Sequence, residues 1–277
     1  LCLLTDRIDG KILDGIGKQL KIVANYAVGF NNINLEDAKK RKIMVTNTPG
    51  PEISRSVAEH TVALILACAK RIAESDRYTR AKKYKGWAPM LFLGSNLYGK
   101  TLGIVGLGAI GAEVAKMMSA FDMKIVYYDI KRNPAFEKKY KAKYAKIPAL
   151  LKQSDFVTLH VPLLPSTKYL INDKEFGMMK KTAFLINTSR GPIVREKALL
   201  KALKAGKIAG AGLDVFECEP AIDCDLTDKL ELRKMENVVL TPHTASAAIE
   251  TRSAMAETAA KNIISALSGK KPPNLVK

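Results

Sequence analysis

A glycine motif at residues 106–111 constrains the fold most, because a strand, a helix and an acid stand around it in a fixed order. The apolar run Leu102–Val105 is typical of a buried strand and enters Gly106-x-Gly108-x-x-Gly111. A helix-like segment, Ala112–Phe121, follows, and a second apolar run then ends on Asp129, 18 residues past the third glycine. This order predicts a βαβ unit of a doubly wound sheet.

Each part of the motif has a physical task in such a unit. The first glycine allows a tight turn, the second lets the backbone approach a pyrophosphate, and the third lets the helix pack against the strand. Free N–H groups at the helix N-terminus would hold the phosphates, and Asp129 would accept hydrogen bonds from the adenosine ribose. A plain structural turn is the alternative, but the strand, helix and acid in register favour a dinucleotide site.

Apolar runs alternate with amphipathic segments along nearly the whole chain, which is typical of a parallel α/β fold. Six runs around and after the motif suffice for a six-stranded sheet: Leu102–Val105, Lys124–Tyr127, Phe156–Leu159, Ala183–Ile186, Ala209–Leu213 and Val238–Leu240. Earlier strands are predicted at Leu1–Leu4, Ile22–Ala24 and Ile43–Val45, and a helix from Ser246 to Leu267 closes the chain.

A long helix is predicted from Pro51, with an apolar stripe that continues to Ile72. We expect this helix to cross between two domains. The predicted organisation is a nucleotide-binding domain at 98–243, inserted in a smaller flavodoxin-like α/β domain built from 1–97 and 244–277.

The composition is that of a globular protein, with 47% hydrophobic and 26% charged residues in 277. The net charge is +18. Lysines are scattered along predicted surface helices without interleaved aromatic residues, so we expect a solvated basic surface that steers small anions, and no nucleic-acid partner. The longest apolar run, Val62–Ala69, is too short to span a bilayer, and no secretory leader is evident. We therefore predict a cytoplasmic protein without a membrane partner.

The four cysteines lie at positions 2, 68, 218 and 224, and their spacing is not that of a metal site. Cys68 is predicted to be a buried hydrophobic residue. Cys218 and Cys224 flank a loop and could form a disulfide, but we expect a reduced pair.

Polar residues follow several predicted strands, at the edge where ligands of open α/β sheets bind. His160 follows one strand and His243 another, whereas His60 lies inside the long helix and is expected to be structural. Arg190 and Asp214 follow two further strands, and Glu219 comes five residues after the latter. An arginine, acids and a histidine would thus converge near the nicotinamide end of a dinucleotide, although structural ion pairing is the alternative.

These segments resemble the D-isomer-specific 2-hydroxyacid dehydrogenase family, in particular its glyoxylate and hydroxypyruvate reductase branch. The resemblance covers essentially the whole chain. It rests on Asn25-Tyr-Ala-Val-Gly-Phe-Asn-Asn-Ile, Val45-Thr-Asn-Thr-Pro-Gly, the glycine motif, Asn187-Thr-Ser-Arg-Gly, Gly212-Leu-Asp-Val-Phe-Glu-Cys-Glu-Pro and Leu240-Thr-Pro-His. It also implies that an opening βα portion of roughly 30 residues or more precedes Leu1.

The resemblance implies a catalytic triad. Arg190 would bind the substrate carboxylate and polarise the carbonyl, His243 would exchange the proton, and Glu219 would orient the imidazole. Backbone N–H groups of Val28 and Gly29 would bind the carboxylate as well.

The resemblance also implies an NAD site and a homodimer. Asp214 would meet the nicotinamide carboxamide, and His160 would keep a structural role on the adenosine side. The cofactor-binding set is Gly106, Gly108, Ala109, Ile110, Gly111, Asp129, Val161, Thr188, Ser189, Arg190, Asp214, His243 and Ala245. Trp87 resembles an aromatic residue lent across the dimer, and ordinary interface packing is an equal alternative.

The implied reaction is hydride transfer between NAD(H) and a small 2-oxo or D-2-hydroxy acid, most simply reduction of glyoxylate or hydroxypyruvate. Asp129 favours NAD because a carboxylate repels a 2′-phosphate, although Lys131 and Arg132 follow and could partly offset this. Competing substrates are 2-ketogluconate, D-lactate and phosphoglycerate. A different class, a dinucleotide-sensing partner protein, is disfavoured by the intact triad.

Overall fold

The computed structural model describes residues 1–4, 6–219 and 227–276. Over these residues the strands are β1 (Ile22–Ala24), β2 (Met44–Thr46), β3 (Thr101–Val105), β4 (Lys124–Tyr128), β5 (Lys143–Tyr144), β6 (Phe156–Leu159), β7 (Phe184–Asn187), β8 (Gly210–Leu213) and β9 (Val238–Leu240). The helices are α1 (Gly10–Ile16), α2 (Leu35–Lys40), α3 (Pro51–Ala69), α4 (Ile72–Arg80), α5 (Ala109–Ser119), α6 (Pro134–Tyr140), α7 (Ile147–Gln153), α8 (Asp173–Phe176), α9 (Glu196–Lys204), α10 (Thr227–Lys234) and α11 (Ile249–Leu267).

The chain divides into two compact units, residues 57–245 and residues 1–56 with 246–277. A discontinuous arrangement was predicted, but this division places 57–97 with the nucleotide-binding sheet rather than with the smaller unit. The physical reason is packing: Leu64, Ile65 and Cys68 of α3 share a buried cluster with Leu102 and Ile104 of β3.

The larger unit is built on a parallel sheet with the order β5-β4-β3-β6-β7-β8-β9. Successive residues of a strand enter different apolar clusters, since Phe156 packs with α3 and α5 residues while Val157 packs with α7 and α9 residues. Burial on both faces explains why these strands are continuous apolar runs. The strand order reverses between β3 and β6, which is where doubly wound sheets bind ligands.

The predicted doubly wound α/β fold is confirmed, but two details of the larger unit differ from prediction. The described sheet has seven strands rather than six, because the short edge strand β5 pairs with β4 although its sequence, Lys143-Tyr144, carries no apolar run. The predicted single long helix is also wrong, since it breaks after Ala69. Arg71 there adopts a left-handed backbone, with φ +53°, before α4 begins.

The smaller unit contains the parallel pair β1 and β2, with Ile22 opposite Met44 and Ala24 opposite Thr46. The predicted strand at Leu1–Leu4 forms only an isolated bridge from Cys2 to Asn25. The flanking side chains of Leu1 and Leu3 are exposed. Ile22 and Ala24 pack against Ala266 of α11, and Val23 packs with Leu13 and Val45.

Candidate active site

The glycine loop follows β3 at the switch point of the sheet. Gly106 has φ +100°, and a Cβ there would lie 2.7 Å from the carbonyl oxygen of His160. A Cβ at Gly111 would lie 2.1 Å from the carbonyl oxygen of Gly106, whereas a Cβ at Gly108 would meet nothing within 4 Å. Gly111 is therefore needed for helix–strand packing, and the space beside Gly108 is open.

Helix α5 begins at Ala109, three residues earlier than predicted. Gly108 occupies its N-cap position, and no side chain caps it. The first-turn amides of Ala109 and Ile110 thus start a helix whose positive dipole end carries no capping side chain. Such an end suits a pyrophosphate, and with the open side of Gly108 it fits the phosphates of a dinucleotide. The side chain of Val161, after β6, lies beside Gly106.

Asp129 follows β4 and ties the strand to the glycine loop. Its Oδ2 accepts a hydrogen bond from the backbone N–H of Leu107 at 2.7 Å, and its Oδ1 accepts from that of Ile130 at 2.6 Å. The carboxylate is thereby oriented at the loop, where the predicted ribose contact would lie.

Arg132, three residues later, is held by a carboxylate of α6. Its Nε donates to Glu137 Oε1 at 2.8 Å and its Nη2 donates to Oε2 at 2.7 Å. The hydroxyl of Tyr127 also donates to Glu137 Oε1, at 2.7 Å. The bonds from Arg132 and Tyr127 keep the pKa of Glu137 below its usual value, so this carboxylate stays charged beside the guanidinium.

The turn after β7 carries Thr188, Ser189 and Arg190. Asn187 closes it, since its Oδ1 accepts from Ser189 N and Oγ and its Nδ2 donates to the carbonyl of Arg190 at 2.9 Å. Thr61 of α3 donates to the carbonyl of Val57, so the 2.8 Å bond to Thr188 uses the Thr188 hydroxyl as donor. The polar Asn187 and Thr61 were not predicted as site residues, although Asn187 ends an otherwise apolar strand.

The turn after β9 carries His243, and it brings the imidazole to a carboxylate from the loop after β8. His243 Nδ1 and Glu219 Oε1 are 2.6 Å apart. Asp214, directly after β8, is fully buried and accepts hydrogen bonds from Thr244 N and Ala245 N, both at 2.9 Å. Its predicted contact with the nicotinamide carboxamide stays a prediction.

Arg190 lies near the same carboxylate. Burial lowers the pKa of its guanidinium from the usual value, and the negative charge of Glu219 acts in the opposite direction. The structure therefore joins His243 to Glu219 through a hydrogen bond, and Arg190 is within electrostatic range of the same carboxylate.

The described part of the loop after β8 is held by two contacts of Glu217. Tyr169 donates its hydroxyl to Glu217 Oε1 at 2.5 Å, and Glu217 Oε2 accepts from the backbone N–H of Glu196 at 2.9 Å. Cys218 is disulfide-bonded, so the prediction of a reduced cysteine there is wrong. Cys224, which was predicted to be reduced as well, lies outside the described residues. Cys2 and Cys68 are free and buried, as predicted for Cys68.

Val28 and Gly29 lie in the smaller unit, in a turn pinned through its carbonyl groups. Asn25 Nδ2 donates to the carbonyl of Gly29 and Asn47 Nδ2 donates to that of Val28, both at 2.7 Å. With the carbonyls held in this way, the turn has a defined orientation. Its role in carboxylate binding stays a prediction.

Two further features bear on chemistry. Among the described residues, no group of histidine, cysteine and acidic side chains could hold a metal ion. None of the helices in that part of the chain is long and apolar enough to cross a membrane.

Comparisons with known proteins agree with this geometry. A family model described as D-isomer specific 2-hydroxyacid dehydrogenase, NAD binding domain, matches residues 62–245. The glyoxylate reductase of Korarchaeum cryptofilum is 52% identical, over 99% of this chain and 81% of that protein, and the glyoxylate reductase of Thermococcus litoralis is 51% identical over 99% and 82%. The solved D-lactate dehydrogenase of Aquifex aeolicus, complexed with NAD and lactic acid, is 32% identical with a TM-score of 0.88, over 99% of this chain and 85% of that one. The chain therefore belongs to the D-isomer-specific 2-hydroxyacid dehydrogenase family, and it is an NAD-linked oxidoreductase of the glyoxylate reductase branch.

Proposed function

We propose that this protein reduces glyoxylate, and hydroxypyruvate as a second small 2-oxo acid, to the corresponding 2-hydroxy acid with NADH. The observation that carries the proposal is the 2.6 Å contact between His243 Nδ1 and Glu219 Oε1, with Arg190 within electrostatic range of the same carboxylate. An acid–base group oriented by a carboxylate, beside a guanidinium that can bind an anion, suits reduction of a 2-oxo acid.

Glu219, His243 and Arg190 have different roles in the proposed reaction. Glu219 occupies Nδ1 of His243 and so leaves Nε2 as the nitrogen that donates a proton to the carbonyl oxygen. Arg190 presents a planar fork that pairs with the substrate carboxylate and polarises the neighbouring carbonyl. The N–H groups of Val28 and Gly29 would give the carboxylate a further interaction. NADH, when bound, supplies the hydride.

The residues proposed to hold the dinucleotide are those around the glycine loop and the strand ends. Gly108, Ala109 and Ile110 would meet the pyrophosphate, and Asp129 would meet the ribose hydroxyls. Asp129 repels a 2′-phosphate, and Glu137 draws the guanidinium of Arg132 into a bidentate pair, so we propose NADH as the preferred cofactor over NADPH.

Other substrates of the family are a second possibility. The D-lactate dehydrogenase of Aquifex aeolicus supports D-lactate, but at 32% identity against 52% for a glyoxylate reductase. Reduction of 2-ketogluconate or oxidation of phosphoglycerate has no specific observation in its favour. A purely dinucleotide-sensing role would not require the oriented imidazole of His243.

The test is a spectrophotometric scan of 2-oxo acids with NADH and with NADPH, on the wild type and on His243→Ala. We expect glyoxylate and hydroxypyruvate to be the best substrates, NADH to be preferred, and His243→Ala to lower kcat by about 10²–10⁴-fold. NADH binding, followed by fluorescence, serves as the control and is expected to persist in the variant. Turnover near the wild-type rate in His243→Ala would refute the proposed chemistry.

We also propose that the protein is a homodimer. Between α4 and β3, several large apolar side chains are exposed on one stretch of the larger unit, among them Trp87 at 85% and Met90 at 75%. Exposed apolar patches of this kind mark protein interfaces. Light scattering of the purified protein should give twice the chain mass, and Trp87→Ser with Met90→Ser should shift it toward the monomer. A wild-type monomer at micromolar concentration would contradict this. The cytoplasmic location stays a prediction.

A further inference from the structure

His243 adopts a backbone conformation that must be stabilised by its surroundings. Its φ is +56°, in the left-handed region that is unfavourable for a residue with a Cβ. Such a conformation persists where neighbouring groups hold it, and here the backbone carbonyls of Asp214 and Thr241 both accept the N–H of His243, that of Thr241 at 3.1 Å. The backbone N–H of His243 donates to the carbonyl of Asp214 at 2.9 Å.

The side chain of Asp214 binds the same turn on both sides of His243. Its carboxylate accepts the N–H groups of Thr244 and Ala245, and it also accepts the hydroxyl of Thr241 at 2.6 Å. Burial would raise the pKa of this carboxyl, yet the hydrogen bonds from His60, Thr241 and the two amides hold it below its usual value. The buried, ionised carboxylate of Asp214 therefore holds the turn from residue 241 to residue 245 through hydrogen bonds.

His60 completes the arrangement from helix α3. Its Nε2 lies 3.0 Å from Thr241 Oγ1 and 3.4 Å from Asp214 Oδ1. A threonine hydroxyl has one proton, and the 2.6 Å bond to Asp214 uses it, so Thr241 Oγ1 accepts from His60. His60 therefore carries its proton on Nε2 and acts as a donor.

Helix α3 is a rigid base for this contact. Ala58 and Ile65, on either side of His60, are fully buried in the cluster that also contains β3. The adjacent residue, Thr61, contacts Thr188 after β7. One turn of α3 therefore supports two of the strand-end turns that carry the candidate site.

We propose that His60, Thr241 and Asp214 form a hydrogen-bonded relay that positions His243, and that His60 and Thr241 are positioning residues of the enzyme. The inference rests on the proposed function, since it assigns to these residues the orientation of its acid–base group. It gives the side chain of His60 on α3 a task in turnover rather than in stability alone.

The test compares Thr241→Val, which removes the hydroxyl at nearly constant volume, with Thr241→Ser, which keeps it. Steady-state reduction of glyoxylate and binding of NADH are measured for both, with melting temperature as a check on folding. We expect Thr241→Val to lower kcat about tenfold or more, while KM for glyoxylate and the NADH Kd change less than about threefold, because small misplacements of a catalytic group cost mainly turnover. Thr241→Ser should restore most of kcat.

His60 gives a second, independent pair. His60→Leu removes the donor, whereas His60→Gln keeps an N–H donor on a side chain of similar reach. We expect the same split, with kcat lowered in His60→Leu and largely retained in His60→Gln. If Thr241→Val does not fold, His60→Leu and His60→Gln provide the test instead.

The His243→Ala variant separates the two proposals. If His243→Ala is inactive while Thr241→Val and His60→Leu turn over at the wild-type rate, the relay is wrong and the proposed function stands. If His243→Ala itself remains active, the proposed function fails. A loss in kcat that the serine and glutamine variants do not restore would also overturn the relay.

Discussion

Replacing His160 by glutamine tests how burial of one imidazole determines the acid stability of the nucleotide-binding unit. His160 follows β6, its Nε2 lies 2.9 Å from Thr158 Oγ1, and burial lowers its pKa from 6.5 to about 3. The ring is therefore neutral in the folded protein at any pH above about 3. In the unfolded chain it titrates near its ordinary value.

The sign follows from proton binding. As the pH falls below 6.5 the unfolded chain binds a proton that the folded chain does not bind, so the free energy of unfolding decreases. With the pKa values of 6.5 and about 3, the loss attributable to His160 between pH 7 and pH 5 is about 2 kcal/mol. Glutamine cannot titrate, and its amide keeps a donor toward Thr158.

The assay is urea denaturation at pH 7 and pH 5, followed by circular dichroism, for the wild type and His160→Gln. We expect the wild type to lose about 2 kcal/mol more than the variant over this interval. All other titrating groups are common to both proteins and cancel in the comparison. Equal losses in the two proteins would refute the reasoning, because they would mean that His160 titrates alike in the folded and unfolded chains.

Two other predictions follow from the same unit. Gly111→Ala should lower the melting temperature markedly, since its Cβ would lie 2.1 Å from the carbonyl oxygen of Gly106. Gly108→Ala should melt like the wild type, because a Cβ there meets nothing within 4 Å, and it should raise the NADH Kd about tenfold or more. Calorimetry and fluorescence titration measure the two effects, and a destabilised Gly108→Ala would contradict the assignment of that open space to the pyrophosphate. Glu137→Gln should raise the ratio of kcat/KM for NADPH to that for NADH several-fold, because it weakens the bidentate hold on Arg132; an unchanged ratio would mean that Arg132 is not within reach of a 2′-phosphate.

Local chemistry made much of the candidate site predictable. The strand, glycine turn, helix and acid around residues 101–129 follow from short-range patterns, and the structure agrees apart from the earlier start of α5 at Ala109. Arg190 and His243 could be singled out because residues that follow parallel strands share one edge of the sheet. That rule needs only strand positions, which apolar runs reveal.

Contacts between distant parts of the chain were not predictable in this way. The spacing of residues in the sequence does not show that His60 contacts Thr241, 181 residues away. Nor does it show that Arg71 adopts a left-handed backbone conformation and so ends the helix within an apolar stripe. The short strand β5 and the disulfide at Cys218 likewise depend on where other segments pack.

The sequence by itself therefore determined the class of fold and the dinucleotide loop, because these depend on periodicity and on the spacing of short motifs. It also singled out Arg190, Glu219 and His243 as candidates, and their roles as a triad came from the family resemblance and stay a prediction. Only the tertiary structure decided that Glu219 bonds Nδ1 of His243 and that a buried carboxylate, supported from α3, holds the turn beneath that imidazole. The reason is that hydrogen-bond geometry within about 3 Å depends on how whole helices and loops pack, which residue spacing does not encode.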